Sequence, residues 1–147
     1  MTRTTKKLIF DTSSLIGAVI NAKSLPALVF AQAKQAHTLF ISLETIAELQ
    51  AVVARKKFDR YFIGKEASRR EDFFAEYRAI AQLVEPTHTA TECRDENDNM
   101  FLSLALSVEA DMIVSSDNDL LVLNPYKNIR VLTVRQYAEE NGLLSGS

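Results

Sequence analysis

Short apolar runs recur along the chain, each followed by a stretch whose apolar residues return at helical spacing. Leu8-Ile9-Phe10, Thr38-Leu39-Phe40-Ile41, Met112-Ile113-Val114 and Ile129-Arg130-Val131-Leu132 predict strands, and Leu83-Val84 predicts a weaker one. The intervals predict helices. One or two lie within 14–36, broken near Pro26, and another covers 43–57, with Ser42 as N-cap and Glu44 in the first turn. Further helices are expected over 64–82, over 97–109 and from Val134 onward. Strands alternating with helices predict an α/β fold with a mostly parallel sheet of about five strands, covered on both faces. Functional sites in such sheets form just beyond the carboxyl ends of the strands. No repeat, low-complexity tract or Pro/Gly-rich linker divides the sequence, so 1–147 reads as one domain.

Composition narrows this picture only a little. With 147 residues, 47% hydrophobic and 24% charged, the chain is long enough to bury one core without staples. Its single cysteine, Cys93, has no internal disulfide partner, and no Cys/His spacing suits zinc. A reducing cytoplasm fits that usage. The basic-then-apolar start imitates a secretion signal, but Asp11, Thr12, Ser13 and Ser14 interrupt the apolar run and no small-residue cleavage site follows. No later stretch reaches the ~20 apolar residues of a membrane helix, so no membrane association is expected. The net charge of -2 excludes a broadly basic surface for tight, unselective nucleic-acid binding. It does not exclude a nuclease that spends carboxylates on metal.

The candidate chemistry lies in the acidic residues. Asp11 follows the first strand directly, and Asp117 and Asp119 follow Met112-Ile113-Val114 through Ser115 and Ser116. Two strand ends thus bring carboxylates to one edge of the sheet. Any one of these aspartates alone reads as a helix cap or turn residue. Gathered together they repel unless a cation sits between them. Glu44 and Glu48, four apart, share a helix face. That face is either solvated, or Glu48 points inward to the same edge, and the pattern favours neither. In Arg94-Asp95-Glu96-Asn97-Asp98-Asn99, Asp95 and Glu96 suit a helix's first turn on dipole grounds alone, whereas Asp98 is placed to aim at the sheet edge. Hard divalent ions prefer such oxygen ligands and are held with waters and substrate phosphates.

Four segments in order resemble the PIN-domain nucleases, especially the VapC-like bacterial group that forms the toxin half of toxin–antitoxin pairs. They are Ile9-Phe10-Asp11-Thr12-Ser13-Ser14; Glu48-Leu49 with Val52-Val53, Arg55 and Lys57-Phe58; Arg94-Asp95 with Asp98 and Phe101-Leu102; and the run from Ile113 through Ser115, Ser116, Asp117 and Asp119 to Leu121. The resemblance covers nearly the whole chain. It implies a three-layer α/β/α sandwich and Mg²⁺- or Mn²⁺-dependent endonuclease action, usually on RNA. It makes Asp11, Glu48, Asp98 and Asp117 the expected catalytic, metal-binding carboxylates, with Asp119 a fifth ligand. Ser13 and Ser116 become hydroxyls supporting those ligands, Ser13 standing where the family usually has Asn. Glu96, Asn97 and Asn99 replace the usual residues of the third motif. An antitoxin partner and a homodimer are also implied.

Arg55, Lys56, Lys57 and Arg94 are candidates for contacting RNA phosphates. Between Phe58 and Arg78, aromatic residues interleave with Arg60, Lys65, Arg69, Arg70 and Arg78. Stacking rings beside cations would suit single-stranded RNA. Phe73 and Tyr77, four apart, read more simply as a core stripe. His37 and His88 match no ligand spacing, and Cys93 beside Arg94 has the setting for a lowered thiol pKa but no catalytic partner. Two other readings compete. Asp11 as an aspartyl-phosphate nucleophile lacks the second aspartate two positions on, where Ser13 stands. A catalytically weak or inactive module that regulates or binds protein is the alternative that the altered third motif supports.

Overall fold

Two sets of apolar residues leave the central sheet in opposite directions, and this alternation organises the fold. In the computed structural model, which describes residues 4–144, five strands run β1 Lys7–Phe10, β2 Thr38–Ile41, β3 Gln82–Leu83, β4 Met112–Val114 and β5 Arg130–Leu132. The first and last three residues of the expected 1–147 domain lie outside the described residues. The strand order is β3-β2-β1-β4-β5, and all four pairings are parallel. Leu8, Phe10, Leu39, Ile41, Met112 and Val114 pack on one face against α1 Thr12–Ile20, α2 Leu25–Ala36, α3 Leu43–Val53, α4 Arg69–Ile80 and α7 Val134–Glu140. Ile9, Phe40, Ile113 and Val131 pack on the other against α5 Asn99–Val108 and the single turn α6 Asn118–Leu121. The result is the three-layer α/β/α sandwich. β1, β2 and β4, buried on both faces, read as unbroken apolar runs, whereas both residues of the short edge strand β3 are exposed and its bounds fall one residue before the expected Leu83-Val84.

Helix ends follow local chemistry. α1 and α2 meet at 106°, with Ser24 capping α2 and Pro26 in its first turn, where a missing N–H costs nothing. Gly17 permits this bend, since a Cβ there would lie 3.0 Å from the Pro26 ring. α3 opens with a reciprocal capping box between Ser42 and Thr45. The helix expected to reach residue 57 stops at Val53. Its buried stripe is Ile46, Leu49 and Val53, and the next positions on that stripe are Lys56 and Lys57, which are exposed. The chain turns into a 3₁₀ segment, Lys56–Tyr61, instead. Similarly, the helix expected from residue 64 begins at Arg69, since Gly64, with a φ of 60°, opens a separate 3₁₀ turn, Gly64–Glu66, instead. The helix expected from residue 97 becomes a 3₁₀ turn, Glu96–Asp98, leading into α5.

The rings between Phe58 and Arg78 are structural. Phe73 and Tyr77 surround Phe30, with ring centroids 5.0 and 5.3 Å away. Two of the interleaved cations are also structural. Arg69 donates to the carbonyls of Val19 and Ala18 at the end of α1, and Arg70 to that of Val53 at the end of α3. Among the described residues, no single helix is long and apolar enough to cross a membrane.

Candidate metal centre

Strand order places the site. β1 leads to β2 on one side and β4 to β5 on the other, so the crevice beyond the carboxyl ends of β1 and β4 is the topological switch point. Asp11 stands at the end of β1 and the Ser115–Asp117 corner at the end of β4.

Asp11 is 2% exposed and caps α1, its Oδ1 accepting the Ser14 N–H at 2.9 Å. Ser13 Oγ is shared between both carboxylate oxygens, at 2.9 and 2.8 Å, and Ser115 Oγ donates to Oδ2 at 2.5 Å. Burial raises the Asp11 pKa, and the hydrogen bonds from Ser115, Ser14 and Ser13 pull against it without cancelling it. The same serines tie the two strand ends together. Ser115 Oγ accepts the Asp117 N–H, Ser13 Oγ accepts the Ser116 N–H, and Ser14 Oγ donates to the carbonyl of Val114. Ser13 therefore bridges the ends of β1 and β4. Ser116 contributes its backbone N–H, and the buried hydroxyl at this corner belongs to Ser115.

Asp117 caps α6, its Oδ1 accepting the Asp119 N–H at 2.9 Å. From the opposite side, Asp95 caps the 3₁₀ turn through the Asn97 N–H, and that turn carries Asp98 inward. Asp98 is 7% exposed, and its Oδ2 has no hydrogen-bond partner. Burial pushes its pKa up to about 8; the proton is held toward Asp117, and the charges of Asp117, Asp95 and Asp11 add to the shift. One carboxylate oxygen from each of Asp95, Asp98, Asp117 and Asp119 lies within 4.8 Å of the others. Four acids at this separation could hold a hard divalent cation.

Asp11, Asp98 and Asp117 line a cleft of about 400 Å³ together with Glu48, which is half-buried, and Arg55. Glu48 thus lies on the cleft side of α3 while remaining partly exposed. Asp11 and Glu48 line the cleft without joining the tight group of four. Arg94 forms an ion pair with Asp119 at 2.8 Å. Lys57 lies over the Phe58 ring, 5.1 Å from its centroid. Burial pushes the Cys93 thiol up, with the charges of Asp98, Asp119 and Asp117 adding to it, so adjacent Arg94 does not make it a reactive thiolate.

Two members of the site were not evident in the sequence. Asp95 reads there as an ordinary first-turn acid, and only the fold of its loop brings it to Asp117. Ser115 reads as a spacer, although a polar residue directly after a fully buried strand was a usable signal.

Comparison with known proteins agrees with this fold. A chain in the crystal structure of VapBC2 from Rickettsia felis bound to a DNA fragment from their promoter shares the fold, with a TM-score of 0.58 at 15% identity, covering 86% of this chain and 98% of that one. An uncharacterised protein of Methanocaldococcus jannaschii is 27% identical over 146 residues, 91% of this chain and 90% of its own length. The PIN domain family model matches residues 7–119, from the strand that carries Asp11 through to Asp119, and the chain belongs to that family.

Proposed function

We propose that this chain is a metal-dependent endoribonuclease that hydrolyses RNA phosphodiester bonds, acting as the toxin of a toxin–antitoxin pair. One observation carries the reading. Asp98 is buried with an unpartnered carboxylate oxygen, facing three more carboxylates across a few ångströms. Ionised carboxylates this close repel, and a divalent cation relieves that repulsion. The donor set fits Mg²⁺ or Mn²⁺, with Asp95, Asp98, Asp117 and Asp119 as the holding residues. When bound, such an ion supplies Lewis-acid charge for phosphate oxygens and lowers the pKa of water.

The chain's own residues have separable tasks. Asp98, whose burial holds its pKa up to about 8, must lose its proton before a cation is held. Asp11 and Glu48 line the cleft from the side of α1 and α3, where the half-exposed Glu48 would accept the proton of an attacking water and Asp11 would add negative charge toward the cation. Ser115 and Ser13 keep Asp11 in one orientation. Arg55, exposed at the cleft wall, meets a substrate phosphate, and Lys56 beside it steers the strand. PIN domains are generally nucleases, which supports the reaction class. Choice of RNA, the antitoxin, a homodimer and a cytoplasmic setting complete the proposal. They rest on the motif resemblance and on the fold shared with the Rickettsia felis VapBC2 structure.

The test is incubation of a mixed RNA pool with Mg²⁺ or Mn²⁺, in parallel with EDTA and with Asp11→Asn and Asp98→Asn variants. Cutting should require the cation. Each variant should lose more than the ~10–100-fold typical of outer changes around a metal. Cutting that survives EDTA and both substitutions, or no cutting at all, would put the protein-binding module ahead.

A further inference from the structure

Arg94 occupies one of the four carboxylates. Its guanidinium is 2.8 Å from Asp119 Oδ1, and its side chain is 64% exposed. The backbone beneath it is pinned. The N–H of Cys93 donates to Asn99 Oδ1 at 2.9 Å, and buried Cys93 Sγ lies 3.4 Å from the Asp119 carbonyl oxygen. Arg94 is therefore a long, solvent-accessible arm on a fixed pivot, directly beside Asp119. Asp119 is fixed as well, its own N–H being held by Asp117.

An exposed arginine–carboxylate pair is weak and readily exchanged. A divalent cation drawn by four carboxylates competes for the same Asp119 oxygens with twice the charge and no side-chain entropy to lose. When the cation takes Asp119, the guanidinium is freed beside the four-carboxylate group. A planar fork of donors is suited to bind phosphate there. We infer that Arg94 couples the two ligands: it is the counter-ion of Asp119 in the cation-free protein and a phosphate-binding residue for RNA once Asp119 is released. This rests on the metal-centre reading above. Thermodynamic reciprocity then requires that RNA tighten cation binding by the factor with which cation tightens RNA.

A double-mutant cycle isolates this coupling from general electrostatics. The affinity for a short single-stranded RNA is measured by fluorescence anisotropy in EDTA for the wild type, Arg94→Gln, Asp119→Asn and the double variant. Asp119→Asn should tighten RNA in both backgrounds because a negative charge is lost. The gain should be about two- to fivefold larger when Arg94 is present, the factor an exposed pair's coupling corresponds to. Repetition in Ca²⁺ should tighten RNA on the wild type and clearly less on Arg94→Gln. Equal gains in both backgrounds, or no RNA binding in either condition, would overturn the coupling. Calorimetric titration with Ca²⁺ separates the two levels of failure. If the wild type binds no cation, the metal centre and the coupling fall together. If it binds cation and the cycle shows no coupling, only the role of Arg94 falls.

Discussion

Ser115 serves two strands' worth of chemistry with one hydroxyl, donating to Asp11 and accepting from the Asp117 N–H. It is fully buried, so removing it leaves a carboxylate oxygen and an amide short of partners with no water to replace them. Ser115→Ala should therefore cost about 1–3 kcal/mol in urea denaturation. Ser116→Ala, at an exposed position where the backbone makes the contact, should cost less than about 0.5 kcal/mol. Equal effects would mean that the hydroxyl at this corner has been misassigned. The sequence places two serines between Val114 and Asp117 and cannot say which faces in. Side-chain direction past a strand end depends on how the chain turns, and the turn here is made by contacts with Ser13 and Leu132, distant in sequence. The arginines of α4 illustrate the same limit. Arg69 and Arg70 look like nucleic-acid ligands in a basic, aromatic segment, yet each completes the exposed carbonyls of another helix's end.

At the scale of elements, α3 carries the cleft's Glu48, and its direction is set by its start. Ser42 and Thr45 are both buried and satisfy each other's backbone N–H groups. Ser42→Ala should lower stability by about 1–2 kcal/mol, measured by thermal or urea unfolding, because a buried N–H loses its acceptor as the helix loses its cap. Ser24→Ala, whose cap on α2 is more exposed, should cost less. The existence and type of the longer elements were readable because parallel strands are apolar on both faces and helices repeat every 3.6 residues. Their ends were less so. α3 stops where its stripe meets Lys56 and Lys57, and α4 starts late because of Gly64, both visible in hindsight as local conflicts. α6 is only four residues long, too short to show any period.

At the scale of the molecule, the acidic site costs the fold something that pH and cation should reveal. The Asp98 carboxyl has an ordinary pKa of 3.8 and rises to about 8 in the folded chain. Between those values the folded state keeps a proton that the unfolded chain has released. This contribution to stability is full below the unfolded pKa and is lost as pH rises through the folded one. In EDTA, the Tm of the wild type should therefore fall between about pH 5 and pH 8 more steeply than that of Asp98→Asn, checked by parallel thermal melts. Mn²⁺ at about 100 times its Kd should restore about 2.7 kcal/mol, and a given Mn²⁺ concentration should stabilise more at high pH, where no proton competes for Asp98. Identical pH slopes for the two proteins would mean that the fold does not raise the Asp98 pKa. The sequence by itself determined the alternation of strand and helix, the parallel sheet and the strand ends that carry Asp11 and Asp117. Those follow from local periodicity and from the residue that comes next after each buried run. Only the tertiary structure decided that Asp95 joins Asp98, Asp117 and Asp119, that Ser115 locks Asp11, and that Arg94 sits on Asp119. These are contacts between segments linked only through the order of strands, and the direction of a side chain in an irregular loop follows from what packs against it rather than from its neighbours in the chain.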